Sequence, residues 1–153
     1  MQYKKKILPN GLRIVLEEIP YVRSVSMGVW IQAGSRNEQP ELKGISHFIE
    51  HMVFKGTGRR SARDIAEEID NVGGQLNAFT GKECTCYYTK VLNSHIELAF
   101  DILSDMLFCS EYSNLEIEKE KNVIYEEINM YEDTPEEIVH DIYASNVFKR
   151  HPL

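Results

Sequence analysis

The sequence is short of cysteine, of positive charge and of long apolar runs, and each shortage removes a class of function. Three cysteines, Cys84, Cys86 and Cys109, form an odd set, which fits reduced thiols better than the disulfide framework of a small secreted domain. Against 24 aspartates and glutamates stand 17 lysines and arginines, a formal charge of -7, so there is no basic surplus for a nucleic-acid or anionic-membrane partner. No apolar stretch approaches the roughly 18 residues of a membrane span. The start, Met1-Gln2-Tyr3-Lys4-Lys5-Lys6, lacks the apolar segment of a signal peptide. Internal repeats, low-complexity tracts and linker-like stretches are also missing. A chain of 153 residues with 42% hydrophobic residues can bury one core. The expectation is one globular domain at most, in the cytoplasm.

What the sequence does contain is His47-Phe48-Ile49-Glu50-His51, inside a segment that reads as a helix. At 100° per residue His51 lies about 40° around the axis from His47, and Glu50 about 60° the other way, so the three share one face. Ile45, Phe48, Ile49 and Met52 are then free to pack into a core. Two imidazoles one turn apart suit a tetrahedral zinc ion, which at a catalytic centre keeps three protein ligands. The order His-x-x-Glu-His is the reverse of the zincin motif and matches the inverzincin pattern.

A third ligand is sought in a second helix. Between Asn114 and Tyr131 the residues Ile117, Val123, Ile124 and Ile128 recur at helical spacing, and Glu120 and Glu127 fall in the same stripe. A carboxylate facing a core is costly unless paired with a cation or bound to a metal. The nearest cations in sequence, Lys119 and Lys121, lie roughly 80 to 120° around the axis and reach the carboxylates only by bending back. The alternative is that both glutamates sit at the wet edge of the stripe.

His47 to His51 together with Glu120-x6-Glu127 resembles the zinc site of the pitrilysin and insulinase metallopeptidases. The stretch from His47 to Thr57 is most similar to the branch of the mitochondrial processing peptidase and its bacterial relatives. Gly73-Gly74, Asn77-Ala78-Phe79-Thr80, Tyr87-Tyr88 and a closing His151-Pro152-Leu153 extend the likeness from Leu8 to the last residue. The resemblance implies one zinc ion held by His47, His51 and Glu127, with Glu50 as general base toward the water the ion holds. Glu120 would support the site from outside the ligand set. It also implies an extended peptide substrate added as a strand to a sheet edge, here Leu76 to Thr80, with Asn77, Ala78 and Phe79 as substrate-binding residues. Noncatalytic relatives lose zinc ligands, whereas this sequence keeps all of them.

The expected architecture is an α+β two-layer sandwich, a mostly antiparallel sheet packed with helices. Strands are expected near 4–8, 13–17, 24–31, 76–80 and 85–91, the first two joined by Pro9-Asn10-Gly11. Helices are expected over 43–53, from a Ser61 cap to Asn71, and over 94–108, 114–131 and 135–148, the last with Thr134 as cap and Pro135 at its first position. Cys84 and Cys86 read as packed core thiols, with metal binding as the lesser alternative. Phe54, Phe79, Tyr87 and Tyr88 divide between core and pocket, Phe79 being the best pocket candidate.

Resembling proteins continue beyond the equivalent of Leu153 and add a second, similar domain. The chain is therefore expected to be an incomplete amino-terminal metallopeptidase domain, poorly active alone and prone to self-association or homo-oligomer formation. Two functions follow: a zinc-dependent endopeptidase, or a noncatalytic peptide-binding or assembly subunit of the same fold.

Overall fold

Pro9-Asn10-Gly11 turns the chain as its composition dictates. Gly11 takes φ 87°, a left-handed conformation that glycine adopts without strain, and Asn10 Oδ1 accepts the Leu12 N–H at 3.1 Å. The turn joins β1 (Tyr3–Ile7) to β2 (Arg13–Glu17) in an antiparallel hairpin with Lys5 opposite Val15. The structure is a computed structural model and describes residues 3–148; the expected His151-Pro152-Leu153 motif lies outside the described residues.

Among the described residues the expected sheet is divided in two. The hairpin stands by itself, exposed along both strands. A second, three-stranded sheet is built from β3 (Ser24–Ile31), β4 (Gln75–Thr80) and β5 (Thr85–Leu92) in the order β3-β5-β4, with both pairings antiparallel. Three helices, α1 (Ile45–Val53), α2 (Ala62–Asp70) and α3 (Ile96–Cys109), cover one face of it. This is the expected two-layer α+β arrangement.

The core lies between those layers. Val53 of α1, Ile65 and Ile69 of α2, and Ile102, Leu103 and Met106 of α3 meet Tyr87 and Val91 of the central strand. Each large apolar side chain so buried contributes about 1.5 to 3 kcal/mol. Met52 and Val53 enter the interior, but Ile49, expected there too, remains exposed.

Polar chemistry sets the helix positions. Ser61 and Asp64 form a reciprocal capping box at the start of α2. The loop before it is bound to α3 by a charged cluster: Asp105 accepts hydrogen bonds from Thr57 Oγ1 at 2.8 Å, Arg60 Nη1 at 2.9 Å and Arg59 Nε at 3.2 Å. At the other end of α2, the Gly74 N–H donates to Ile69 O at 2.9 Å. A Cβ at Gly74 would stand 2.9 Å from Val91 Cγ1, so any side chain there would have to push its neighbours aside.

Two further helices complete the described chain, α4 (Asn114–Glu132) and α5 (Pro135–Val147). Ser113 Oγ caps α4 by accepting the Glu116 N–H at 3.3 Å. Thr134 occupies the N-cap position of α5 with Pro135 after it, but its hydroxyl donates backward to Met130 O at 2.8 Å and does not cap. The apolar stripe expected on α4 is covered only in part. Ile117 and Ile124 are half-buried, while Val123 and Ile128 are 44% and 47% exposed. α4 packs across α1, and α5 lies against α4.

Candidate metal centre

The helix carrying the histidines is started by a carboxylate from outside it. Gly44, at φ 87°, offers no side chain as a cap. Glu38 Oε2 instead accepts the Gly44 N–H at 2.7 Å, and Glu38 Oε1 accepts the Ser46 N–H at 2.8 Å. Burial pushes the Glu38 carboxyl upward, but the bonds from Ser46 and Gly44 outweigh it and hold the group below the usual carboxylate range. Negative charge at this end also suits the helix dipole.

One turn into α1, His47 and His51 bring their rings together edge to face, centroids 4.5 Å apart. Their Nε2 atoms are separated by 3.1 Å. Glu127 reaches in from α4, its Oε2 lying 3.5 Å from His51 Nε2 and 3.8 Å from His47 Nε2. A tetrahedral zinc with donors at 2.0–2.1 Å separates those donors by about 3.3 to 3.4 Å. The three spacings fall on either side of that value, so the donor set fits the ion in both chemistry and size. Of the residues the sequence singled out as ligands, all three converge.

Glu120 lies two turns before Glu127 on the same side of α4 and is 3% exposed. Its Oε1 lies 2.7 Å from His51 Nδ1 and its Oε2 lies 2.6 Å from Lys55 Nζ. Burial raises its pKa, but the hydrogen bonds from Lys55 and His51 overcome that and leave it below the ordinary carboxylate range. With Nδ1 engaged by Glu120, the His51 Nε2 is left to face the centre. The wet-edge alternative is thereby excluded for Glu120, although Glu127 does sit at an exposed edge. Lys119 and Lys121 do not bend back: they pair with Glu116 at 2.7 Å and Glu118 at 2.6 Å on their own helix.

Glu50 shares the helix with both histidines. Its Oε2 is buried and has no hydrogen-bond partner among the described residues. The Tyr87 phenol is pushed upward by burial first, and then by the nearby Glu50 carboxylate and by Tyr112. Such an oxygen can accept a hydrogen bond from a water or ligand.

The expected peptide edge is present. Among the described residues β4 pairs only with β5, and α1 packs beside it. The Ala78 N–H points off the ladder and is occupied by Asn77 Oδ1 at 2.8 Å. Phe79 is in register with Cys86 and Trp30, on the sheet face away from the helices. There it meets Trp30 edge-on at 5.6 Å and Tyr88 at 6.4 Å, an exposed aromatic group over the buried Cys86 thiol. Cys86 is thus packed, as expected, but on the outer face. Tyr87 and Phe54 belong to the core side.

Sequence reasoning missed Lys55, Glu38 and a cleft of about 470 Å³ beside His47 and Glu127, walled by Ile128, Tyr131, Ile138 and Asp141. Lys55 stands just beyond α1, where its position in the quoted stretch from His47 to Thr57 could have raised it. Nothing local pointed to the other two.

Residues 13–153 match the family model described as Insulinase (Peptidase family M16). The chain belongs to this family. A Bacillus subtilis protein named uncharacterized zinc protease YmxG is 58% identical over 150 residues, 98% of this chain and 37% of that protein. An Arabidopsis thaliana protein named probable mitochondrial-processing peptidase subunit beta is 44% identical over 146 residues, 95% of this chain and 28% of that protein. The crystal structure of a protease from Helicobacter pylori shares the fold with a TM-score of 0.92 at 24% identity, covering 99% of this chain and 37% of that one. The chain thus spans between 28% and 37% of the length of these relatives.

Proposed function

We propose that this chain is the amino-terminal, metal-bearing part of a zinc-dependent endopeptidase acting on extended peptides. The observation that carries the reading is the convergence of His47 Nε2, His51 Nε2 and a Glu127 oxygen at spacings that bracket those of a zinc tetrahedron, in a chain of this peptidase family. Bound there, zinc would supply a Lewis acid that polarises a carbonyl and lowers the pKa of water to about 7.

The chain's own residues then divide the work. His47, His51 and Glu127 would hold the ion, and Glu120 keeps His51 turned toward it. Glu50 is the proposed base: its unpartnered carboxylate oxygen would take a proton from the attacking water and pass it to the leaving nitrogen. The free edge of β4 offers backbone groups for a substrate strand. The Ala78 N–H, covered by Asn77 Oδ1, is the donor such a strand would compete for, with Phe79 on the face beyond. Exposed apolar residues on the β1–β2 hairpin, including Ile7 and Val15, support self-association, since an isolated two-stranded hairpin is marginal in water. Three unpaired thiols support a reducing, cytoplasmic setting.

The deciding experiment is zinc analysis of the longer protein with hydrolysis of a quenched peptide, before and after a chelator. Zinc-dependent cleavage is the expected result. Absence of both zinc and cleavage would favour the noncatalytic peptide-binding or assembly subunit.

A further inference from the structure

Glu120 is the most deeply buried ionisable group at the centre, and one oxygen of its carboxylate is taken by His51 Nδ1. The other is taken by Lys55 Nζ at 2.6 Å. Lys55 follows α1 directly, its own N–H donating to Met52 O at 3.0 Å, so its backbone is tied to the end of the helix that bears both histidines. Its side chain is 30% exposed and carries the ammonium inward to Glu120. A carboxylate held at one oxygen can still rotate about its Cγ–Cδ bond and carry its hydrogen-bond partner with it. Held at both oxygens, by His51 in the last turn of α1 and Lys55 just beyond it, it cannot.

We propose that Lys55 is a positioning residue for the metal centre: it pins Glu120, and Glu120 in turn fixes the ring of His51 with Nε2 facing His47 and Glu127. Lys55 is not one of the three donors, and its ammonium pairs with the Glu120 carboxylate. Its effect therefore falls on metal affinity. The inference rests on the zinc reading above and adds to it a residue outside the ligand set.

Zinc alone is the probe, titrated against a competing chelator into the longer protein carrying Lys55→Met, Lys55→Arg or Glu120→Gln, and the Lys55→Met, Glu120→Gln pair. Loss of a group that orients a ligand weakens metal affinity by about 10 to 100-fold, and Lys55→Met is expected in that range, with Lys55→Arg restoring most of the affinity. Because Lys55 works through Glu120, Lys55→Met should add little once Glu120→Gln is present. Thermal unfolding of the metal-free proteins identifies the folded variants. Should Lys55→Met not fold, Lys55→Gln removes the charge while keeping a donor. Unchanged affinity in Lys55→Met, or its full additional loss in the Glu120→Gln background, would overturn the inference while leaving the zinc site standing. Failure of the unmodified longer protein to bind zinc would overturn the site and the inference together.

Discussion

The Nε2 atoms of His47 and His51 stand 3.1 Å apart on one face of α1. Two imidazole nitrogens at that distance cannot both present lone pairs to each other without repulsion. Without metal one must carry a proton, and with metal both can turn their lone pairs to the ion.

Removing any one of the three donors should therefore release most of the zinc. His47→Ala, His51→Ala and Glu127→Gln are each expected to weaken binding by more than Glu120→Gln, for which about 10 to 100-fold is expected. Metal analysis after equilibrium dialysis measures this, and full occupancy in all three ligand variants would remove the assignment.

Glu50→Gln should separate binding from chemistry. In the longer protein this variant is expected to keep its zinc and lose turnover by roughly 10² or more. Zinc content and peptide hydrolysis measured on the same sample decide it: loss of metal in step with activity would mean that Glu50 is coordinating.

Acid should loosen the loop between α1 and α2. Asp105 is 2% exposed at its side chain; burial raises its pKa, but hydrogen bonds from Thr57 and Arg60 and the charge of Arg59 bring it below the ordinary value. A carboxyl with a folded-state pKa below the unfolded one, about 3.9, contributes its full stability above the unfolded value. That contribution is lost as pH falls through the folded value. Melting temperatures of the metal-free protein should fall below about pH 4. At neutral pH Asp105→Ala should cost about 1 to 3 kcal/mol, because Thr57 and Arg60 each lose a bond to a buried carboxylate while Arg60 keeps Glu68 and Asp101. A change below about 1 kcal/mol would show the cluster to be as weak as a surface pair.

Gly74→Ala should destabilise by about 1 to 3 kcal/mol, since the added methyl would press on Val91 and Ile69. Denaturant unfolding reads this directly. A neutral result would show that the junction of α2 and β4 yields without strain.

Periodicity told which residues share a face, and it could not tell which faces are covered. Ile117, Val123, Ile124 and Ile128 are spaced as one stripe, yet only Ile117 and Ile124 are screened from water, because α1 crosses α4 over part of its length. Alternation likewise set Ala78 and Phe79 on opposite faces of β4, while the packing of α1, α2 and α3 decided that Ala78 faces the core and Phe79 faces away. The hairpin of β1 and β2 was legible because its turn is local. Its separation from the other sheet was not, since joining them depends on contacts between distant residues.

The candidate metal centre divides the same way. The chain by itself determined that His47, Glu50 and His51 share a helix face and that Glu120 and Glu127 stand two turns apart on another, because helical geometry follows from local backbone sterics and hydrogen bonds. Tertiary packing of α1 on α4 decided the rest. It brought Glu127 within 3.5 Å of His51 Nε2 and gave Glu120 its cation in Lys55 rather than Lys119 or Lys121. It also set Glu38 over the first turn of the histidine helix. Those pairings carry no sequence period, because they form only when side chains from separate elements are desolvated together and each buried charge must find the partner that packing puts within reach.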